Sequence, residues 1–207
     1  MTGKEKQTKV AVLASGRGSN FEALVRGDTA PGRVDMVVSD RREAPVLERA
    51  GRLGVEAASL YPGNYRTRMG IDEEREWAHV LRERGVELVC LAGFMRMLKG
   101  PMLEAFPGAV MNIHPSLLPA FPGLEAQRQA VEYGVRWSGC TVHYVDPGMD
   151  SGPVILQETV EVLPDDTPDE LAARILRSEH RLYPRAVSLH CAGRLRLEGR
   201  RVRILEG

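Results

Sequence analysis

The sequence predicts an α/β fold: a mostly parallel sheet with helices on both faces, extended by antiparallel strands in the C-terminal half. Short apolar runs alternate with amphipathic segments through the first half of the chain, the rhythm of strand–helix–strand units. Those runs are continuous, as in strands buried on both faces. After Ala109 the strands lie between stretches rich in Pro, Gly and Asp, so the connections change character.

Residues 10–15 form the first apolar run, which ends at a glycine pair, and 20–26 follow with helical spacing. A second strand is expected over 34–39, a second helix over 44–53 closed by Gly54, and a third strand over 55–60. A loop with Pro62 and Gly63 leads to a charged helix over 72–84, and 86–92 is a fourth strand ended by Gly93. The short strand 109–114 runs into Pro115. Residues 124–133 read as helical, 139–145 alternate like a strand, and 154–162 form another strand. Thr167 can cap a helix that has Pro168 in its first turn, and Asp165 and Asp166 favour its dipole. That helix is expected to reach about Tyr183, where Pro184 bends or ends it. Residues 195–197 and 202–204 flank Glu198-Gly199 as a terminal hairpin. With no internal repeat and no low-complexity linker, residues 1–207 read as a single domain.

Composition narrows the function. Lys+Arg 28 against Asp+Glu 28 leaves no net charge, which argues against a polyanion-coating role, so no nucleic-acid partner is expected. A chain of 207 residues buries roughly 70% of its unfolded surface, enough for a core without staples. Cys90, Cys140 and Cys191 are odd in number and lack CxxC spacing, so buried reduced thiols are expected in place of disulfides or a zinc knuckle. The apolar stretch 10–14 is too short for a signal sequence, and no uncharged run approaches the roughly 20 residues of a membrane helix. A cytoplasmic protein without a membrane partner is the expectation.

Three constellations can carry chemistry. Gly16, Gly18, Ser19 and Asn20 lie where the first strand hands over to the first helix, and free N–H groups there suit a phosphate. A dinucleotide fingerprint with Asp40 as the ribose acid, or a plain turn, are the other readings. Phe21 stands where the dinucleotide pattern needs its third glycine. Asn112 and His114 share one face of their strand and sit at its C-terminal edge, where open α/β sheets bind ligands. An amide donor beside an imidazole suits a reaction that builds negative charge on a carbonyl oxygen; a structural histidine on a loop carbonyl is the alternative. Asp150 could orient His114 and fix its tautomer, or serve as a turn aspartate. His143 could join from the preceding strand. A metal site from His114, His143 and Asp150 lacks any HxxxH, HExxH or Cys/His cluster, so no metal is expected. Met95, Arg96, Met97 and Leu98 could wall a flat aromatic ligand or belong to the core. Arg82, Arg84, Arg174 and Arg177 read as solvated helix faces.

Four strings occur together and in order: 14–20 (ASGRGSN), 91–98 (LAGFMRML), 112–119 (NIHPSLLP) and 146–155 (DPGMDSGPVI). On these the chain resembles the 10-formyltetrahydrofolate-dependent phosphoribosylglycinamide formyltransferases, over about residues 9–197. The resemblance implies a three-layer Rossmann-like formyltransferase fold, with a phosphate- and nucleotide-binding half (about 9–100) and a catalytic and folate-binding half (about 101–197). It implies direct attack of the glycinamide amine on the formyl carbon, with N10 of the folate leaving. Asn112 and His114 would stabilise the tetrahedral oxyanion, His114 being the general acid, while Asp150 would tune His114 and organise a water. Gly18, Ser19 and Asn20 would hold the ribonucleotide phosphate with Pro115 nearby, and Glu179 would meet the ribose hydroxyls. Arg68, Met95, Arg96, Met97, Leu98, Asn112 and Val145, with the loop to Met149, would line the folate site; Arg66 competes with Arg68 for its place.

The implied partners are small molecules: glycinamide ribonucleotide, and 10-formyltetrahydrofolate as cosubstrate, bound by a monomer or homodimer. Leu176 stands where some relatives carry a polar residue, Pro147-Gly148 tightens the folate loop, and residues 195–207 carry no family motif. A formyltetrahydrofolate hydrolase would use the same Asn, His and Asp with water as nucleophile, but its relatives carry a different residue after the histidine, here Pro115. Formyltransferases acting on methionyl-tRNA need a longer C-terminal domain. A regulatory nucleotide-binding module would have no use for Asn112, His114 and Asp150 together, and Phe21 argues against a dinucleotide oxidoreductase.

Overall fold

A computed structural model describes residues 7–206. Its elements in chain order are β1 (Thr8–Leu13), α1 (Ser19–Arg26), β2 (Gly32–Ser39), α2 (Pro45–Leu53), β3 (Glu56–Ser59), α3 (Ile71–Glu83), β4 (Leu88–Leu91) and α4 (Pro101–Ala105). These are followed by β5 (Val110–His114), α5 (Ala126–Tyr133), β6 (Trp137–Tyr144), β7 (Val154–Glu161), α6 (Pro168–Cys191), β8 (Leu195–Glu198) and β9 (Arg201–Ile204). One seven-stranded sheet has the order β3-β2-β1-β4-β5-β6-β7. Its first five members are parallel, and β6 and β7 add to β5 as antiparallel strands. The fold is the expected mostly parallel α/β sheet with an antiparallel extension; β8 and β9 pair separately as the terminal hairpin.

Alternate residues of each central strand feed different cores, because successive side chains leave opposite faces of the sheet. Val10 and Val12 pack with Phe21, Leu24, Tyr183 and Val187 beneath α1 and α6. Ala11 and Leu13 pack with Trp77, Leu81 and Met102 beneath α3 and α4. The strand order reverses at β1, so the carboxyl ends of β1, β4 and β5 open a crevice between them.

Three elements depart from expectation. α4 has no apolar periodicity to announce it; it begins where buried Glu74 of α3 accepts hydrogen bonds from Lys99 N (2.6 Å), Gly100 N (3.1 Å) and Met102 N (3.0 Å). α6 continues past Pro184 to Cys191. Pro184 removes one hydrogen bond, yet Tyr183, Ala186 and Val187 are fully buried and the Tyr183 hydroxyl donates to the carbonyls of Leu91 and Met111. Packing outweighs the missing bond. β6 is buried along both faces from Ser138 to Tyr144, so its alternating sequence does not mark a solvent face. Cys90 and Cys140 are buried thiols and Cys191 is half-buried; burial pushes the pKa of Cys140 up to about 12 and that of Cys191 up to about 11.

Candidate active site

β5 pairs with β6 so that Asn112 stands opposite His143 and His114 opposite Thr141. Asn112, His114 and His143 therefore share one face at the carboxyl end of β5. His143 Nδ1 lies 2.9 Å from its neighbour's carbonyl, Tyr144 O, and must donate to it. Its Nε2 is then an acceptor in the neutral ring and takes a hydrogen bond from Asn112 Nδ2 at 3.2 Å. Burial holds the imidazole of His143 below its ordinary pKa, against the pull of the Tyr144 carbonyl and Asp150. The neutral tautomer is thus fixed, and with it the rotamer of the Asn112 amide, whose second N–H stays available.

His114 is 4% exposed. Its Nε2 donates to Phe121 O at 2.9 Å, and Nδ1 faces Asp150 Oδ2 at 3.4 Å. The other carboxylate oxygen of Asp150 lies 3.8 Å from His143 Nε2. Asp150 Oδ2 also accepts from Gly123 N at 2.8 Å. The loop after Pro119 thus reaches both His114 and Asp150, one through a carbonyl and one through an amide. Phe121, Glu125 and Asp150 have positive φ (52°, 56° and 49°), and no other described non-glycine residue does. Such backbone is uphill for residues with a Cβ and is retained where the surroundings fix it. Gly152 backs the Asp150 loop so closely that a Cβ there would run into the Tyr144 carbonyl.

The glycine loop lies at the carboxyl end of β1. Gly18 caps α1 in the left-handed region (φ 74°), and a Cβ would collide with Val46 of α2, so two constraints demand glycine. No side chain caps α1, which leaves its first amides facing outward. A cleft of about 460 Å³ opens beside this loop, between Gly16–Arg17 and the Arg41–Pro45 turn, and not over His114. Asn20 Nδ2 donates to Glu179 Oε2 of α6 at 2.7 Å, which brings the two distant residues together; Asn20 Oδ1 is buried without a partner. Burial raises the Glu179 carboxyl above its ordinary value, with the Asn20 bond acting against this. Pro115 is half-buried just beyond His114, and Leu176 is half-buried one turn before Glu179.

The 95–98 segment follows β4 and is tied to the glycine loop by Met95 N donating to Ser15 Oγ at 2.9 Å. Met95 is exposed and Met97 half-buried, while Leu98 is 4% exposed in the α3–α4 core, so the side chain of Leu98 faces the interior. Val145 is half-buried beside the same core. Arg68 stacks over the Tyr65 ring at 3.7 Å and pairs in a β-bridge with Met97; Arg66 is exposed. The guanidinium of Arg96 points to Asp40 at 2.7 Å. Sequence reasoning did not find the orienting role of His143, the Phe121 carbonyl, the Gly123 amide or the Asp40–Arg96 pair. The first needs the β5–β6 register, and the others depend on loop backbone that carries no pattern.

The formyl transferase family matches residues 8–187 of the chain. The phosphoribosylglycinamide formyltransferase of Bacillus subtilis (strain 168) is 42% identical over 182 residues, covering 86% of this chain and 92% of that protein. The human trifunctional purine biosynthetic protein adenosine-3 is 40% identical over 197 residues; the match covers 94% of this chain but 19% of that much longer protein. Glycinamide ribonucleotide transformylase 1 from Symbiobacterium toebii superposes with a TM-score of 0.92 at 51% identity, over 100% of both chains. The family match spans the stretch that holds the sheet, the glycine loop and Asn112, His114 and Asp150: the chain belongs to the formyl transferase family.

Proposed function

We propose that the protein transfers the formyl group of 10-formyltetrahydrofolate to the amine of glycinamide ribonucleotide. The observation that carries this is the joining of Asn112, His114 and Asp150 at one strand end with an uncapped glycine loop at the neighbouring crevice wall. The amine nitrogen bonds to the formyl carbon, and the C–N10 bond breaks; the amine loses a proton and N10 gains one. In between, charge builds on the formyl oxygen. The free N–H of Asn112 and the Nδ1 edge of His114 meet that oxygen, and groups fixed in advance stabilise it without reorganising. Asp150 holds His114 and accepts the amine proton through a water. Gly18, Ser19 and Asn20 take the phosphate and Glu179 the ribose hydroxyls. Residues 9–100 supply the phosphate loop, and residues 101–197 supply Asn112, His114 and Asp150.

The folate lies against Met95, Met97, the backbone of Arg96 and Leu98, and Val145, with Arg68 toward the carboxylates at its glutamyl end. Every group named acts on a small molecule. Among the described residues no helix is long and apolar enough to cross a membrane. The reading is tested by following folate release spectroscopically with and without glycinamide ribonucleotide. Release that depends on the ribonucleotide is expected. Release at the same rate without it would make water the acceptor and the protein a hydrolase.

A further inference from the structure

Asp40 follows the last residue of β2, and its side chain is 2% exposed. It receives Arg96 Nε at 2.7 Å, and that arginine is itself 15% exposed. The rest of the Arg96 guanidinium turns to one short stretch of chain. Nη1 donates to the Tyr65 carbonyl and lies 3.4 Å from the Arg68 carbonyl. The same stretch is laced to residue 97 by Met97 N to Thr67 O and Met69 N to Met97 O, both 3.0 Å. Above this base, the Arg68 side chain lies on the Tyr65 ring.

Two guanidinium groups thus share one loop, and their circumstances differ. Arg96 is paired with a buried carboxylate through Nε and turns Nη1 to backbone carbonyls, so its charge is already balanced. Arg68 is half-buried on the Tyr65 ring and has no acid partner among the described contacts. Without Asp40, Arg96 would be a buried unpaired cation, and the fork that grips Tyr65 and Arg68 would lose the group that aims it.

We propose that Asp40 is a positioning residue for the formyl donor: through Arg96 it fixes the 65–69 loop so that Arg68 meets the donor's terminal carboxylates. This rests on the reading of Arg68 given under Proposed function. Asp40 touches neither substrate in this scheme. Its effect is confined to the charged end of one of them.

The test uses two donors, 10-formyltetrahydrofolate and the same molecule truncated at the benzoyl carbonyl as its methyl amide, which has no carboxylate. Asp40→Asn is expected to raise KM for the full donor by about tenfold, the size of one well-placed charge-assisted contact. The truncated donor should show the same KM with variant and native protein, and kcat and the ribonucleotide KM should not move. A general structural defect would instead weaken both donors alike, and that result, or no change with either, overturns the proposal. If Asp40→Asn does not fold, Asp40→Glu keeps the acid but displaces Arg96 by one methylene; a rise in KM for the full donor alone is expected, and an equal rise for both donors, or none, overturns the proposal. Arg68→Gln separates the two readings. If it abolishes the preference for the full donor while Asp40→Asn keeps that preference, the positioning role fails and the Arg68 reading stands. If Arg68→Gln keeps the preference, both fail.

Discussion

The proton on His143 Nδ1 is committed to the Tyr144 carbonyl, so Nε2 presents a lone pair, and that lone pair decides which way the Asn112 amide points. The Asn112 amide is thereby oriented before any substrate arrives. Asn112→Ala is expected to lower kcat by about 10²–10³-fold, the usual loss of one oxyanion donor. His143→Phe removes the orientation but keeps the donor, and about tenfold is expected; single-turnover rates at saturating donor distinguish the two, and full turnover in His143→Phe would remove the orienting role. Glu179 gives a second residue-scale expectation. Burial raises its carboxyl above the ordinary 4.5, so as pH falls it protonates before an exposed glutamate would. If Glu179 takes the ribose hydroxyls as proposed, the ribonucleotide KM should begin to climb above pH 4.5, as that acceptor is lost. Glu179→Gln should start with a raised KM and show no such climb; a parallel climb in the variant would assign the titration elsewhere.

Elements were legible in proportion to how local their causes are. The strands of the parallel half read directly from apolar runs ended by glycine, and the Thr167 cap is now a full capping box with Glu170. The motif residues Asn112, His114 and Asp150 were visible as types and spacings, because period-2 geometry and the Pro115 break are local. What joins them is not: the β5–β6 register, the positive φ of Asp150 and the Gly123 amide come from contacts across 27 or more positions. Glu179 was legible only through family resemblance, since nothing within α6 links it to Asn20. α4 shows the same limit, for its start is set by Glu74 on another helix. That carboxylate has no solvent exposure and satisfies three backbone amides. Glu74→Ala would leave them without a partner, and about 3 kcal/mol of unfolding free energy should be lost. Because the 95–98 segment leads into this cap, donor KM should rise as well. Urea unfolding checks the first effect, and a loss below about 1 kcal/mol would mean that water replaces the carboxylate.

At the scale of the whole molecule, two cores on opposite faces of one sheet hold the strand ends rigidly, and the polar groups concentrate where those ends meet. This arrangement carries buried imidazoles, and they link stability to pH. Burial lowers His143 and, in the same direction, His190 and His180 from the ordinary 6.5. Below about 6.5 the unfolded chain takes up protons at these positions ahead of the native state, so stability falls as pH falls; well above that value neither state is protonated there and the contribution is flat. For one fully neutral histidine the slope reaches at most about 1.4 kcal/mol per pH unit, and it ends once the native group also titrates. Glu179 acts with the opposite sign. Its raised native pKa means the folded state takes up a proton first, which returns some stability as pH approaches 4.5. The expected urea midpoint is therefore level from pH 8 to 7 and falls from 6.5 to 5.5. His143→Phe, which cannot take up a proton in either state, should fall less steeply over that interval. A midpoint unchanged down to pH 5.5 would mean that the native imidazoles accept protons as readily as unfolded ones. In that case the neutral His143 that holds Asn112 in place would be lost across the same range, and kcat, in place of stability, should carry the pH dependence.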